Sequence, residues 1–197
     1  MTASPDLTVA QQRIVDALRL FLGAEAETLY EAHGRSLLNL TYYARQSTLP
    51  SFHRLATGLT LAQELLAEEL TSRPVFESPN TVADFLKLHF AGQPHESFAV
   101  MYLDARQALI AFEELFRGTL TQTSVYPREV MRRCLDHGAA ALIVAHNHPS
   151  GSVEPSRSDE LLTQALTTAL SMMDVRVVDH IIVAGAKSLS FAQRGLL

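Results

Sequence analysis

Apolar positions recur every three and four residues through the first third of the chain. Ile14, Val15, Leu18 and Phe21 form one such stretch and Leu61, Leu65, Leu66 and Leu70 another, the period of helices that bury one face. The spacing predicts a helical region over 8–72, interrupted by the polar stretch from Gln46 to Ser51, where Pro50 supplies a break. The character changes at Ser72-Arg73-Pro74, and Ser78-Pro79-Asn80 then introduces a short helix over Thr81 to Phe90. The predicted domain boundary falls near residue 75, dividing a helical region, 1–74, from an α/β domain, 75–197.

From Ser97 the pattern becomes that of alternating strands and helices. Phe98 to Leu103 is a strand-like run, Asp104 to Gln107 a turn and Ala108 to Phe112 a second short run, together a hairpin. A third strand is expected over Leu115 to Leu120. A helix follows from Pro127, a residue suited to the first helical position, to about Asp136, with Gly138 as its stop. Ala141-Leu142-Ile143-Val144-Ala145 is a continuous apolar run of the kind buried on both faces of a sheet. A helix from Ser158 to Met172, a strand from Arg176 to Val183 and a short tail complete the chain. The expected fold is α/β, a mixed sheet flanked by helices and preceded by a small helical region.

Composition narrows the function classes. The 197 residues are 47% hydrophobic and 19% charged, enough apolar material for one substantial core. A net charge of -5 argues against a surface that is wholly a nucleic-acid footprint, which would need clustered Lys and Arg. One cysteine, Cys134, excludes an internal disulfide framework and any cysteine-based zinc knuckle. It also excludes the Pro-Cys-x-x-Cys ligands of a nucleoside deaminase. The first residues lack the basic start of a secretory signal, and no apolar run approaches the ~18 residues of a membrane span. The expectation is a cytoplasmic protein with no membrane partner.

The chemistry concentrates after the apolar run, in His146-Asn147-His148-Pro149-Ser150-Gly151. At a strand end, residues i and i+2 leave on the same side, so the two imidazoles converge. Asp159, in the first turn of the next helix, can reach back over the strand end. Two histidines and one aspartate would leave a fourth position open, the arrangement of a catalytic rather than a structural zinc. The same residues also read as polar groups of a surface loop, with Ser156-Arg157-Ser158-Asp159 as a helix capping box. The remaining histidines, His33, His53, His89, His95 and His137, show no ligand spacing.

The run from His146 to Asp159 matches the JAMM signature of His-x-His, seven residues, Ser, two residues and Asp. With the upstream TSVYPREVMRRCLDHGAAALIVA and the downstream VRVVDHIIVAG, the stretch from about Pro94 to Leu197 resembles the RadC family. The resemblance implies one Zn2+ per chain on His146, His148 and Asp159. It implies that Glu96, opening the first strand, carries the proton in hydrolysis, a role that needs a carboxylate near the reacting water but off the metal. Glu113 and Glu114 are its nearby rivals. Ser156 matches the JAMM serine that steadies an oxyanion. Asp179 and His180, which the resemblance also matches, lie within an apolar strand and are candidates either for outer partners of the metal ligands or for a core pair.

The leading expectation is therefore a metallopeptidase-type hydrolase acting on amide or isopeptide bonds of a peptide or protein. A DNA-associated factor using the same metal, and a non-catalytic scaffold, are the competing readings. RadC-like proteins commonly begin with a helix-hairpin-helix module for DNA. Residues 51–73 stand where its end should be, with Gly58 as the one candidate turn glycine and no Gly-x-Gly in the chain, which weighs against DNA as a partner. Apolar helices in the first region would suit a homodimer interface.

Overall fold

A computed structural model describes residues 7–118 and 125–197. The chain divides into two compact units, Met1–Ala62 and Gln63–Leu197. In the first, the helices α1 (Val9–Leu22), α2 (Ala26–Ala32), α3 (Leu37–Gln46) and the start of α4 (Pro50–Ser72) enclose a small core. Val15, Leu18, Leu22, Tyr30, Leu40 and Phe52 are buried there. Thr8 and Gln11 form a capping box that satisfies the first free amides of α1. Pro50 is the first residue of α4, where its missing N–H costs nothing.

Gly58 is not a turn residue. It lies inside α4, where a Cβ would stand 3.3 Å from the Phe21 ring, a tight contact. The stretch expected to end a helix-hairpin-helix module is one continuous helix. The first compact unit ends at Ala62, and the last turns of α4 supply Leu66, Ala67 and Leu70 to the core of the second unit.

The second unit is a five-stranded mixed sheet in the order β2-β1-β3-β4-β5. Its elements run α5 (Pro79–His89), β1 (Ser97–Leu103), β2 (Leu109–Arg117), α6 (Pro127–His137), β3 (Ala141–Asn147), α7 (Arg157–Ser171), β4 (Arg176–Ala184), β5 (Lys187–Ser190) and α8 (Phe191–Arg194). β1 pairs antiparallel with β2 and β3, and β3 pairs parallel with β4. The central strands β1 and β3 are buried at every position because both faces are covered. Ala99, Met101, Ile143 and Ala145 meet α5 residues such as Phe85 and Leu86 on one face. Val100, Tyr102, Leu142 and Val144 meet Val130 of α6 and Leu166 of α7 on the other.

Gly138 ends α6 in the left-handed conformation that glycine adopts without strain. The two runs expected as separate strands, Ala108 to Phe112 and Leu115 to Leu120, are one strand, β2, as far as Arg117; the expected end at Leu120 lies outside the described residues. The tail is not structureless: β5 returns as a hairpin on β4 and α8 closes it.

Candidate metal centre

β3 ends in Asn147, and the His148 amide bonds to the Val183 carbonyl at 2.8 Å, prolonging the strand's alignment with β4 by one residue. His146 and His148 therefore leave on the same side. A turn closed by the Gly151 amide on the His148 carbonyl (3.1 Å), with Gly151 at φ 84°, then sends the chain away. It comes back as α7, whose third residue is Asp159. The antiparallel register pairs Phe98 with His146. Carried two residues further it sets Glu96 opposite His148 and on the same face.

The candidate ligand atoms converge. His146 Nε2 lies 2.9 Å from His148 Nε2 and 3.3 Å from Asp159 Oδ1, and His148 Nε2 lies 3.6 Å from Asp159 Oδ2. A tetrahedral zinc with bonds of about 2.0–2.1 Å holds its ligand atoms roughly 3.3 Å apart, a spacing close to these three separations, with the carboxylate facing the two histidines through different oxygens. Among the described residues this is the one group of three His, Cys, Asp or Glu side chains with metal-holding geometry.

The hydrogen bonds around the histidines fix which nitrogen faces inward. The Thr163 hydroxyl donates to the Asp159 carbonyl at 2.6 Å, so toward His180 Nδ1, also 2.6 Å away, it can only accept. His180 Nδ1 then carries the proton and its Nε2 accepts from His146 Nδ1 at 2.8 Å. His146 Nε2 is left with a bare lone pair pointing at the site. His148 reaches the same state by a shorter route, with Nδ1 donating to the Ser152 carbonyl at 2.8 Å. Two lone pairs aimed at each other repel unless a cation, or a proton on His148, stands between them. Burial pushes His146 down to about 4, and the neutral ring is the form that binds a metal. The Asp159 hydrogen bond raises His148 instead.

Asp159 is held as a carboxylate. Burial opposes its charge, but the His148 hydrogen bond, the nearby His146 ring and Ser156 keep it well below the usual carboxylate range. Its Oδ2 accepts from both the amide and the hydroxyl of Ser156 at 2.7 Å, and its Oδ1 faces His146. Ser156 also caps α7 by accepting the Asp159 amide at 3.2 Å. The capping box and the candidate ligand set are thus one arrangement. Ser156→Ala is expected to cost about 0.5–2 kcal/mol in denaturant unfolding as a lost cap, and a variant as stable as the parent would deny that role.

Glu96, Ser156, Asp159 and His148 line one groove of about 620 Å³, with Val125, Leu162 and Glu154 on its walls. Burial raises the Glu96 carboxyl, with His148 and Asp159 acting in opposite senses. Its rivals are engaged elsewhere. Glu113 is paired with Arg133 and His137, and Glu114 with His89 (3.0 Å), Ser97 (2.8 Å) and Gln93 (3.4 Å). Of the expected outer partners, His180 is fully buried against His146, but Asp179 turns away. Its oxygens accept from Ser190 Oγ (2.6 Å) and the amides of Ala192 and His180, tying β5 and α8 to β4. Thr163 and Asn147, buried beside the site, were not singled out by the sequence pattern.

No helix among the described residues is long and apolar enough to cross a membrane. A family profile described as a RadC-like JAB domain matches residues 76–196, beginning well before the resemblance near Pro94. The chain is 60% identical over 143 residues to a UPF0758 protein of Variovorax paradoxus, covering 73% of this chain and 64% of that protein. A UPF0758 protein of an Acidovorax species is 61% identical over 143 residues, 73% of this chain and 60% of its own. One from Nitrosomonas eutropha is 53% identical over 146 residues, 74% and 65% respectively. The matched part thus spans about three-fifths of these relatives' length. With the mixed sheet, the His-x-His strand end and a match over more than half its length, the chain belongs to the RadC-like JAB domain family.

Proposed function

We propose that the second unit is a zinc-dependent hydrolase of amide or isopeptide bonds, with His146, His148 and Asp159 as the metal ligands. The observation that carries this reading is the convergence of the His146 and His148 Nε2 atoms and the Asp159 carboxylate in one group able to hold a metal, beside Glu96, whose carboxyl is raised by burial, on the same groove. Two imidazoles and one carboxylate suit zinc among the common divalent ions. A zinc bound there would act as a Lewis acid, acidifying water and polarising a carbonyl.

The protein's part follows from its own groups. Glu96 accepts the proton of the attacking water and returns it to the departing nitrogen, a task favoured by a carboxyl raised above its ordinary value. Ser156 keeps Asp159 aimed by its backbone amide, while its hydroxyl turns from Asp159 Oδ2 to donate to the developing oxyanion. Val125 and Leu162 give a substrate apolar walls, as a side chain or an extended backbone would need. The lining carries Glu96, Glu154 and Asp159 but no Lys or Arg among the described residues, which favours an amide over a phosphodiester substrate.

The test is hydrolysis of peptide and lysine-linked isopeptide libraries beside single- and double-stranded DNA. The expected result is amide cleavage that stops with a chelator and returns with one equivalent of zinc. Cleavage of DNA alone, or of nothing by the zinc-loaded chain, would contradict the reading.

A further inference from the structure

Asn147 stands between the two histidines, yet its side chain turns neither to them nor to solvent. It is 4% exposed. Oδ1 accepts the Ser97 amide at 2.7 Å and Nδ2 donates to the His95 carbonyl at 2.9 Å. Those two groups are the backbone neighbours of Glu96 on either side. The main-chain register between β1 and β3 ends at the Phe98–His146 pair. The carboxamide takes the place of the next rung, offering one donor and one acceptor from a single planar group. The same short segment is held from β2 as well. The Gly118 amide donates to the Glu96 carbonyl at 2.8 Å, and the Ser97 hydroxyl donates to Glu114 at 2.8 Å.

We propose that Asn147 is a positioning residue for the proton-transfer step. It fixes the peptide planes around Glu96, and so the place of that carboxylate over the metal site, without touching metal or substrate. The inference rests on the reading of Glu96 as the proton carrier and deepens it. An ionised aspartate lacks the donor for the His95 carbonyl, and serine or threonine is too short to span both groups. Glutamine adds a methylene to a side chain that is already buried with both ends bonded. Because alternate residues of a strand leave on opposite faces, His146 and His148 do not depend on this amide. Releasing it moves Glu96 while leaving the ligands in place, and displacement of a reacting group by about 1 Å costs on the order of 100-fold in rate.

The test uses the whole chain with Asn147→Ala, and with Asn147→Thr as a second variant that keeps strand propensity. Zinc content, hydrogen exchange of the Ser97 amide, and kcat and KM on an amide substrate are measured, the last also in a Glu96→Gln background. The expected result is one zinc retained, Ser97 exchange faster by about tenfold or more, and kcat lower by about tenfold or more with KM unchanged. In the Glu96→Gln background the Asn147 substitution should lower the rate no further, since both changes remove one function. Loss of zinc, unchanged Ser97 exchange, or an equal loss of rate in both backgrounds would overturn the positioning role. Failure of the underlying reading shows separately, as a zinc-loaded Glu96→Gln chain that turns over at the parent rate; that result would overturn the role as well.

Discussion

Replacing His148 by alanine is expected to leave a folded chain that no longer retains zinc. Its Nε2 is one of three candidate ligand atoms, and no other His, Cys, Asp or Glu among the described residues joins them in metal-holding geometry. Loss of a mere outer partner of a ligand typically costs 10–100-fold in affinity, so loss of the ligand itself should exceed about 100-fold. The fold should survive, because the ring lies in the turn after β3 and its protein bonds are few. The hydrogen bond to Ser152 contributes about 0.5–1.5 kcal/mol. Metal analysis after dialysis, with circular dichroism on the same sample, checks both parts. A variant that still holds one zinc per chain would contradict the ligand assignment.

Glu96→Gln should do the opposite, keeping the metal and losing the chemistry. The amide preserves size and hydrogen bonding but cannot take up a proton, and a positioned general base contributes roughly 10²–10⁴-fold in rate. That corresponds to about 3–5 kcal/mol of barrier at 1.36 kcal/mol per tenfold. Steady-state turnover at matched zinc occupancy is the measurement. Turnover equal to the parent's would remove Glu96 from the mechanism. Glu113 and Glu114 are poorly placed to inherit the task, since their oxygens already serve Arg133, His137, His89 and Ser97. Glu114 shows how firmly: burial works against its charge, yet the His89 and Ser97 hydrogen bonds hold it down to about 2.

Local signals carried much of this architecture. The β1–β2 hairpin, the Pro127 start and Gly138 stop of α6, and the doubly buried β3 are each dictated by residues adjacent in the chain. The convergence of His146 and His148 follows from strand periodicity alone. Where the sequence misled, the cause was a partner far along the chain. The Glu113-Glu114 pair looks like a gap between strands until Arg133, His137 and His89 are seen to neutralise it within one edge strand. β5 and α8, four residues each, are too short to show a period and are anchored through Asp179.

The candidate site was legible as three side chains that converge but not as a network. Thr163 is one more hydroxyl on a helix, and only the fold shows that it orients His180, which in turn orients His146. Asn147 looks like a spacer because its partners, His95 just before β1 and Ser97 at its start, lie about fifty residues upstream. Asp179 and His180, adjacent in sequence, leave β4 on opposite sides, so the pair divides between the tail and the site.

The most direct test is the metal content of the chain purified without added metal, by native mass spectrometry beside the His146→Ala variant. The expected result is one zinc per parent chain and none in the variant. A parent chain that carries no zinc even after zinc is supplied would contradict it.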